Sequence, residues 1–140
     1  MKVVIDTNVL VSGLLSPSGA PGEIVRMFVS GNIEIVYDAR IVDEYEEVLK
    51  RPKFGIEHAY VDDIIYFVEQ FGYPSAGVPL RQRLPDRDDE MFLEAAVSGK
   101  ADFLVTGNIG HFPAASRQGV RVVTPREFVG VFRGRAGSKE

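Results

Sequence analysis

Asp6, Glu44 and Asp89 are acidic residues that their local sequence turns inward, and carboxylates gathered in one place either share protons or hold a cation. Asp6 is the only acid among the first 22 residues, and it directly follows the apolar run Val3-Val4-Ile5. A carboxylate at the end of such a run must be solvated, hydrogen-bonded or metal-bound, because burying it alone costs several kcal/mol. Asp6 or Asn8 also suits the cap of a following helix, which remains an alternative. Around Glu44, Ile41, Tyr45, Val48 and Leu49 form the apolar stripe of a helix at ~100° per residue; Asp43, Glu46 and Glu47 point away and Glu44 falls on the margin. A charge run is usually a solvated face, and that reading holds for the other three. In Pro85-Asp86-Arg87-Asp88-Asp89-Glu90, Asp86 as N-cap with Asp89 at N3 accounts for part of the acidity. Asp89 has Phe92, Leu93 and Ala96 at i+3, i+4 and i+7, which places it on the inward face, while Glu90 and Glu94 share an outer one. Asp6, Glu44 and Asp89 therefore form a candidate site with oxygen ligands only, suited to Mg²⁺ or Mn²⁺.

The rest of the composition narrows the chemistry further. The chain of 140 residues has no cysteine and two histidines, His58 and His111. Disulfide scaffolds, thiolate metal sites and thiol nucleophiles are thus excluded. Its length and its 45% hydrophobic content suit one ordinary folded domain. The net charge is −4, but unevenly spread: from Arg117 onward six basic residues face only Glu127 and Glu140, whereas residues 38–69 hold nine acids and four bases. The start of the chain resembles an export signal until Asp6 and Asn8 interrupt it, and no apolar run approaches the ~20 residues a membrane helix needs. The expectation is a cytoplasmic protein without a membrane partner.

Alternating strands and helices must position these acids. Lys2–Ile5 reads as a strand buried on both faces. Val9–Leu15 reads as a short helix ended by Ser16-Pro17-Ser18-Gly19, and a second helix begins near Ala20-Pro21 and stops at Gly31. Ile33–Tyr37 is the next strand, Asp38 caps the helix bearing Glu44, and Pro52 ends it. Ala59–Phe71 is helical by spacing. Tyr73–Leu84 reads as a loop with one short strand around Val78. Asp88–Ser98 is a helix; Ala101–Thr106 and Val120–Val123 are strands. Thr124-Pro125-Arg126-Glu127 starts a short final helix with a capping box, and residues from Gly134 onward are expected to fray. This order predicts an α/β fold with a mainly parallel sheet, whose functional groups collect at the carboxyl ends of strands. Asp6-Thr7-Asn8 and Thr106-Gly107-Asn108 each end a strand, so they lie side by side if those strands are neighbours.

The segments DTNVLVSGLLSPSG, IVDEYEEVLKRPKF, PDRDDEMFLEAA and ADFLVTGN resemble the PIN-domain nucleases, particularly chains described as toxin components of toxin–antitoxin systems. The resemblance runs over nearly the whole chain. It implies a three-layer α/β/α sandwich, a single domain over residues 1–133 with a flexible tail at 134–140, and Mg²⁺- or Mn²⁺-dependent endonucleolytic cleavage of RNA. Position by position, it makes Asp6, Glu44 and Asp89 the catalytic, metal-holding acids, with Asp86 as a neighbour. Where many members carry an acid after Thr-Gly, this sequence has Asn108, a neutral and weaker ligand. It also implies a cognate antitoxin protein as partner, and the family analogy suggests a homodimer.

With no cysteine and no obvious histidine base, a metal-activated water is the economical attacker. Asp6 would bind metal, Asp89 would hold it and orient the water, and Glu44 would complete the set or accept a proton. Asn8, Thr106 and Asn108 are read as hydrogen-bonding support, and His111 as close enough to touch substrate, though such a residue more often packs in its own loop. Arg81, Arg83, Arg87, Arg117, Arg121 and Lys139 are candidate phosphate contacts. An alternative from another class is a non-catalytic PIN-like RNA-binding or assembly module with a metal site weakened by Asn108. A phosphatase using Asp6 as nucleophile would need a second Asp two residues on, where Asn8 stands.

Overall fold

Val3, Val4 and Ile5 are 0%, 0% and 2% exposed. Successive strand residues point to opposite faces, so this strand is covered on both sides and the molecule must have three layers. The computed structural model describes residues 1–138, with side chains through residue 134. Five strands, β1 (Lys2–Ile5), β2 (Glu34–Tyr37), β3 (Tyr73–Pro74), β4 (Phe103–Val105) and β5 (Val122–Val123), form one sheet in the order β3-β2-β1-β4-β5. Every pairing is parallel. The helices are α1 (Thr7–Leu15), α2 (Ala20–Val29), α3 (Ala39–Leu49), α4 (His58–Phe71), α5 (Glu90–Ser98) and α6 (Pro125–Ser138). The fold is an α/β/α sandwich, as the strand and helix alternation predicts.

Strand order reverses at β1, which has β2 on one side and β4 on the other. The register pairs Ile5 with Val105, so Asp6 and Thr106 leave the sheet together at its carboxyl edge. Ligand sites of open parallel sheets form at such a reversal. The capping box is present: the Glu127 N–H donates to Thr124 Oγ1 at 3.1 Å and the Thr124 N–H to Glu127 Oε1 at 3.0 Å. Asp38 caps α3, its Oδ1 accepting from the Ile41 N–H at 3.1 Å. No helix among the described residues is long and apolar enough to cross a membrane.

Three expectations are corrected. The short strand lies at Tyr73–Pro74, not around Val78, which sits in a loop and is 50% exposed. Proline is tolerated there because β3 is an edge strand. The first helix starts at Thr7 rather than Val9, so Asp6 itself stands at its N-cap position. The last helix is not short but spans Pro125–Ser138; Lys139 and Glu140 lie outside the described residues.

Candidate functional site

The side chain of Asp6 makes no cap bond to α1. It turns instead to the neighbouring strand, where Thr106 Oγ1 donates to its Oδ2 at 2.8 Å. Thr106 is fully buried and Asp6 is 5% exposed, so the hydroxyl satisfies one oxygen of a carboxylate largely out of water. Burial raises the Asp6 pKa, against which the Thr106 bond, the backbone N–H groups of Thr7 and Asn8 at the start of α1 and the nearby His111 pull it down.

Glu44 projects from α3 toward the same edge. Thr7, the first residue of α1, donates its hydroxyl proton to Glu44 Oε2. The next residue, Tyr45, is 0% exposed, and its hydroxyl donates to the carbonyl of Ile5, the residue before Asp6. α3 is thus tied twice to the end of β1, once at each side of Asp6. Burial raises the Glu44 pKa, and the charges of Asp6 and Asp88 add to the rise.

Asp89 stands where the chain enters α5. Asp86 caps a single 3-10 turn, Arg87–Asp89, its Oδ1 accepting from the Asp88 N–H at 2.9 Å. Asp89 then occupies the N-cap position of α5 rather than N3, and its side chain caps nothing. His111 Nδ1 lies 3.1 Å from Asp89 Oδ2. That approach is not aligned as a hydrogen bond, so the buried Oδ2 has no well-formed hydrogen-bond partner, and His111 is its nearest donor. Burial, followed by the charge of Asp6, pushes the Asp89 pKa up to about 6, which the His111 contact opposes.

These residues line one cleft of about 230 Å³ at the carboxyl edge. It brings together Asp6, Asn8, Glu44, Asp86, Asp89, Asn108 and His111. Thr106 does not line it but touches two residues that do, donating to Asp6 and accepting at Oγ1 from the Asn108 N–H at 3.0 Å. The lining also includes Thr7, from the first polar triplet, and Asp88 and Arg51, to which spacing assigns no role; Arg51 is held by Glu47 at 2.9 Å. Of the candidate phosphate contacts, Arg87 lines the adjoining groove. Arg83 pairs with Glu90 at 3.2 Å, Arg117 donates to the Phe112 carbonyl at 2.8 Å, and Arg121 stacks on Phe103. Arg81 is exposed and away from the cleft, and Lys139 is outside the described residues.

Among the described residues, no group of three or more His, Asp or Glu side chains stands arranged to hold a metal ion. Each carboxylate takes a different neighbour, Thr106 for Asp6, Thr7 for Glu44 and His111 for Asp89. The donor chemistry nevertheless suits a hard cation. All three acids offer oxygen only, all three have raised pKa values, and Asp89 Oδ2 is buried without a well-formed hydrogen-bond partner.

The sequence profile of the family described as PIN domain matches residues 2–110, which include every acid of the cleft and Asn108 but end one residue before His111. The uncharacterized protein MJ1680 of Methanocaldococcus jannaschii is 27% identical over 143 residues, covering 94% of this chain and 92% of that protein.

Proposed function

This chain belongs to the PIN domain family, and from that membership we propose that it is a divalent-metal-dependent endoribonuclease that hydrolyses RNA phosphodiester bonds in the Asp6, Glu44 and Asp89 cleft. The observation that carries the proposal is Asp89, whose buried oxygen has no well-formed hydrogen-bond partner and whose pKa is pushed up to about 6 beside a second buried acid. Like charges in that position gain most from a divalent cation with oxygen preferences. Asp6, Glu44 and Asp89 would hold Mg²⁺ or Mn²⁺, with Asp86 and Asn108 at the margin. Bound there, such an ion polarises a phosphate oxygen and lowers the pKa of water.

The remaining work belongs to the chain's own groups. Thr106 orients Asp6 and Thr7 orients Glu44. Burial raises the Glu44 pKa, which makes it a stronger base than a free carboxylate for accepting a proton from the attacking water. His111, half exposed beside Asp89, would meet the substrate. The catalytic unit is taken as one domain, residues 1–133, with 134–140 as a tail. Within this proposal the protein is the toxin of a toxin–antitoxin pair, acts in the cytoplasm as a homodimer and is held in check by a cognate antitoxin protein.

One observation favours a second reading, a non-catalytic RNA-binding or assembly module: among the described residues the carboxylates are not grouped around one point, and by the family resemblance Asn108 stands where many members carry an acid. Labelled single-stranded RNA incubated with the purified protein separates the two. The nuclease cuts it with Mn²⁺ or Mg²⁺ and not with EDTA, whereas the module binds it without cutting. For the toxin role, induced expression should arrest growth of a bacterial host, and Asp6→Ala should relieve the arrest.

A further inference from the structure

Of the residues lining the acidic cleft, His111 alone carries an imidazole. It ends a single 3-10 turn, Ile109–His111, that follows β4. The turn is fixed on both sides. Before it, the Asn108 N–H donates to Thr106 Oγ1 at 3.0 Å, and the Asn108 carbonyl accepts from the His111 backbone N–H at the same distance. After it, Phe112 is fully buried and its carbonyl accepts from Arg117 Nε at 2.8 Å. The Thr106 hydroxyl thus holds Asp6 with its proton and the His111 turn with its oxygen.

The ring Nδ1 stands 3.1 Å from Asp89 Oδ2, yet the two are not aligned as a hydrogen bond and Oδ2 is buried without a well-formed partner. A direct bond therefore does not account for the approach. Two donors on adjacent corners of an octahedral ion, each about 2.1 Å from it, stand about 3.0 Å apart. The Asp89 and His111 pair has that spacing. Two donors do not make a site, and among the described residues no group of three is arranged to hold an ion. Asp6 is the third group in reach: the charge of His111 acts on Asp6, and those of Asp6 and His111 act on Asp89. A nitrogen ligand also changes which ion is favoured. Carboxylates suit Mg²⁺ and Mn²⁺ alike, whereas imidazole favours first-row transition-metal ions, with affinity rising from Mn²⁺ to Co²⁺.

We propose that His111 is a metal ligand, its Nδ1 joining Asp89 and Asp6 on one divalent cation, and that this nitrogen makes the cleft prefer transition-metal ions such as Mn²⁺ to Mg²⁺. The inference rests on the metal-dependent reading of the cleft. The family profile ends at residue 110, so it covers the acids and not His111. In the competing account, His111 meets substrate alone and the ion is held by oxygen only.

Calorimetric titration of Mg²⁺, Mn²⁺ and Co²⁺ into wild type, His111→Ala, His111→Gln and Asp89→Asn at pH 8, without RNA and with folding checked by circular dichroism, separates the two. Wild type should bind Mn²⁺ and Co²⁺ about ten-fold more tightly than Mg²⁺, or more. His111→Ala should weaken Mn²⁺ and Co²⁺ binding about ten-fold and Mg²⁺ binding less than about three-fold, since Mg²⁺ readily keeps a water in that position. His111→Gln offers an amide oxygen instead of the nitrogen, so it should lose the preference as well, and it serves alone if His111→Ala does not fold. No preference in wild type, unchanged affinities in a folded variant, or an equal loss for all three ions overturns the ligand role; the last result would make His111 a residue that only positions Asp89. If wild type binds none of these ions, or Asp89→Asn binds them as wild type does, the metal-dependent reading of the cleft falls and the proposal with it.

Discussion

Thr106 Oγ1 donates to Asp6 Oδ2 at 2.8 Å, joining residues 100 positions apart at the ends of two adjacent parallel strands. The bond holds a buried acid in one orientation, with Asp89 and Glu44 close enough for their charges to couple to it.

Thr106→Val keeps the shape and removes the donor. A buried carboxylate that loses a hydrogen bond costs about 1–3 kcal/mol, so urea unfolding at pH 7 should show a loss of that size. RNA cleavage should fall with it, since Asp6 is no longer oriented. Unchanged stability and activity would mean that the bond contributes to neither.

The acidic cleft should make the protein less stable as pH rises. Asp89 has a folded pKa of about 6, above its ordinary value of 3.8. A raised acid pKa contributes stability that is fully present below the unfolded value and is lost as pH climbs through the folded one. In EDTA, Asp89→Asn should therefore be more stable than wild type at pH 7.5, on the order of 1–2 kcal/mol, and the gap should close near pH 4. Thermal unfolding of both proteins across this range checks the sign.

Divalent cations should reverse that penalty. At pH 7.5, Mn²⁺ or Mg²⁺ that binds the folded state alone raises the melting temperature by mass action. Asp6→Asn should abolish the shift. No shift in wild type would favour the non-catalytic module.

Tyr45→Phe tests how the acids are spaced. The Tyr45 hydroxyl is buried and donates to the Ile5 carbonyl, so its removal leaves a buried acceptor unpaired and costs about 1–3 kcal/mol. Because the bond joins the helix carrying Glu44 to the residue before Asp6, Mn²⁺ affinity by calorimetry should weaken in the folded variant. An affinity equal to wild type would make Tyr45 a core residue only.

Much of this arrangement is legible in the sequence because local pattern controls it. Val3-Val4-Ile5 is apolar without alternation, so the strand is buried and Asp6 marks its end. The two polar triplets mark strand ends, though their adjacency comes only from the β1–β4 pairing, and the helical wheel places Glu44 on the margin of its apolar stripe. What stays hidden depends on distant partners. Tyr45 reads as one more apolar residue until its hydroxyl meets Ile5, 40 positions away. Arg40 has no role that local pattern assigns, since its partner Glu94 is 54 positions off. β3 is hidden for another reason: Tyr73-Pro74 is two residues long, contains a proline and forms only because β2 offers an edge. The 3-10 turn after Asp86 likewise moves Asp89 from N3 to the N-cap of α5, a shift that spacing alone does not reveal.

The most direct test compares RNA cleavage by wild type, Asp6→Ala and Asp89→Ala, each shown to be folded, in Mn²⁺, Mg²⁺ and EDTA. A carboxylate site that cleaves RNA predicts cutting by wild type with metal only and none by either variant. Equal cutting by all three proteins would place the activity elsewhere and contradict the account.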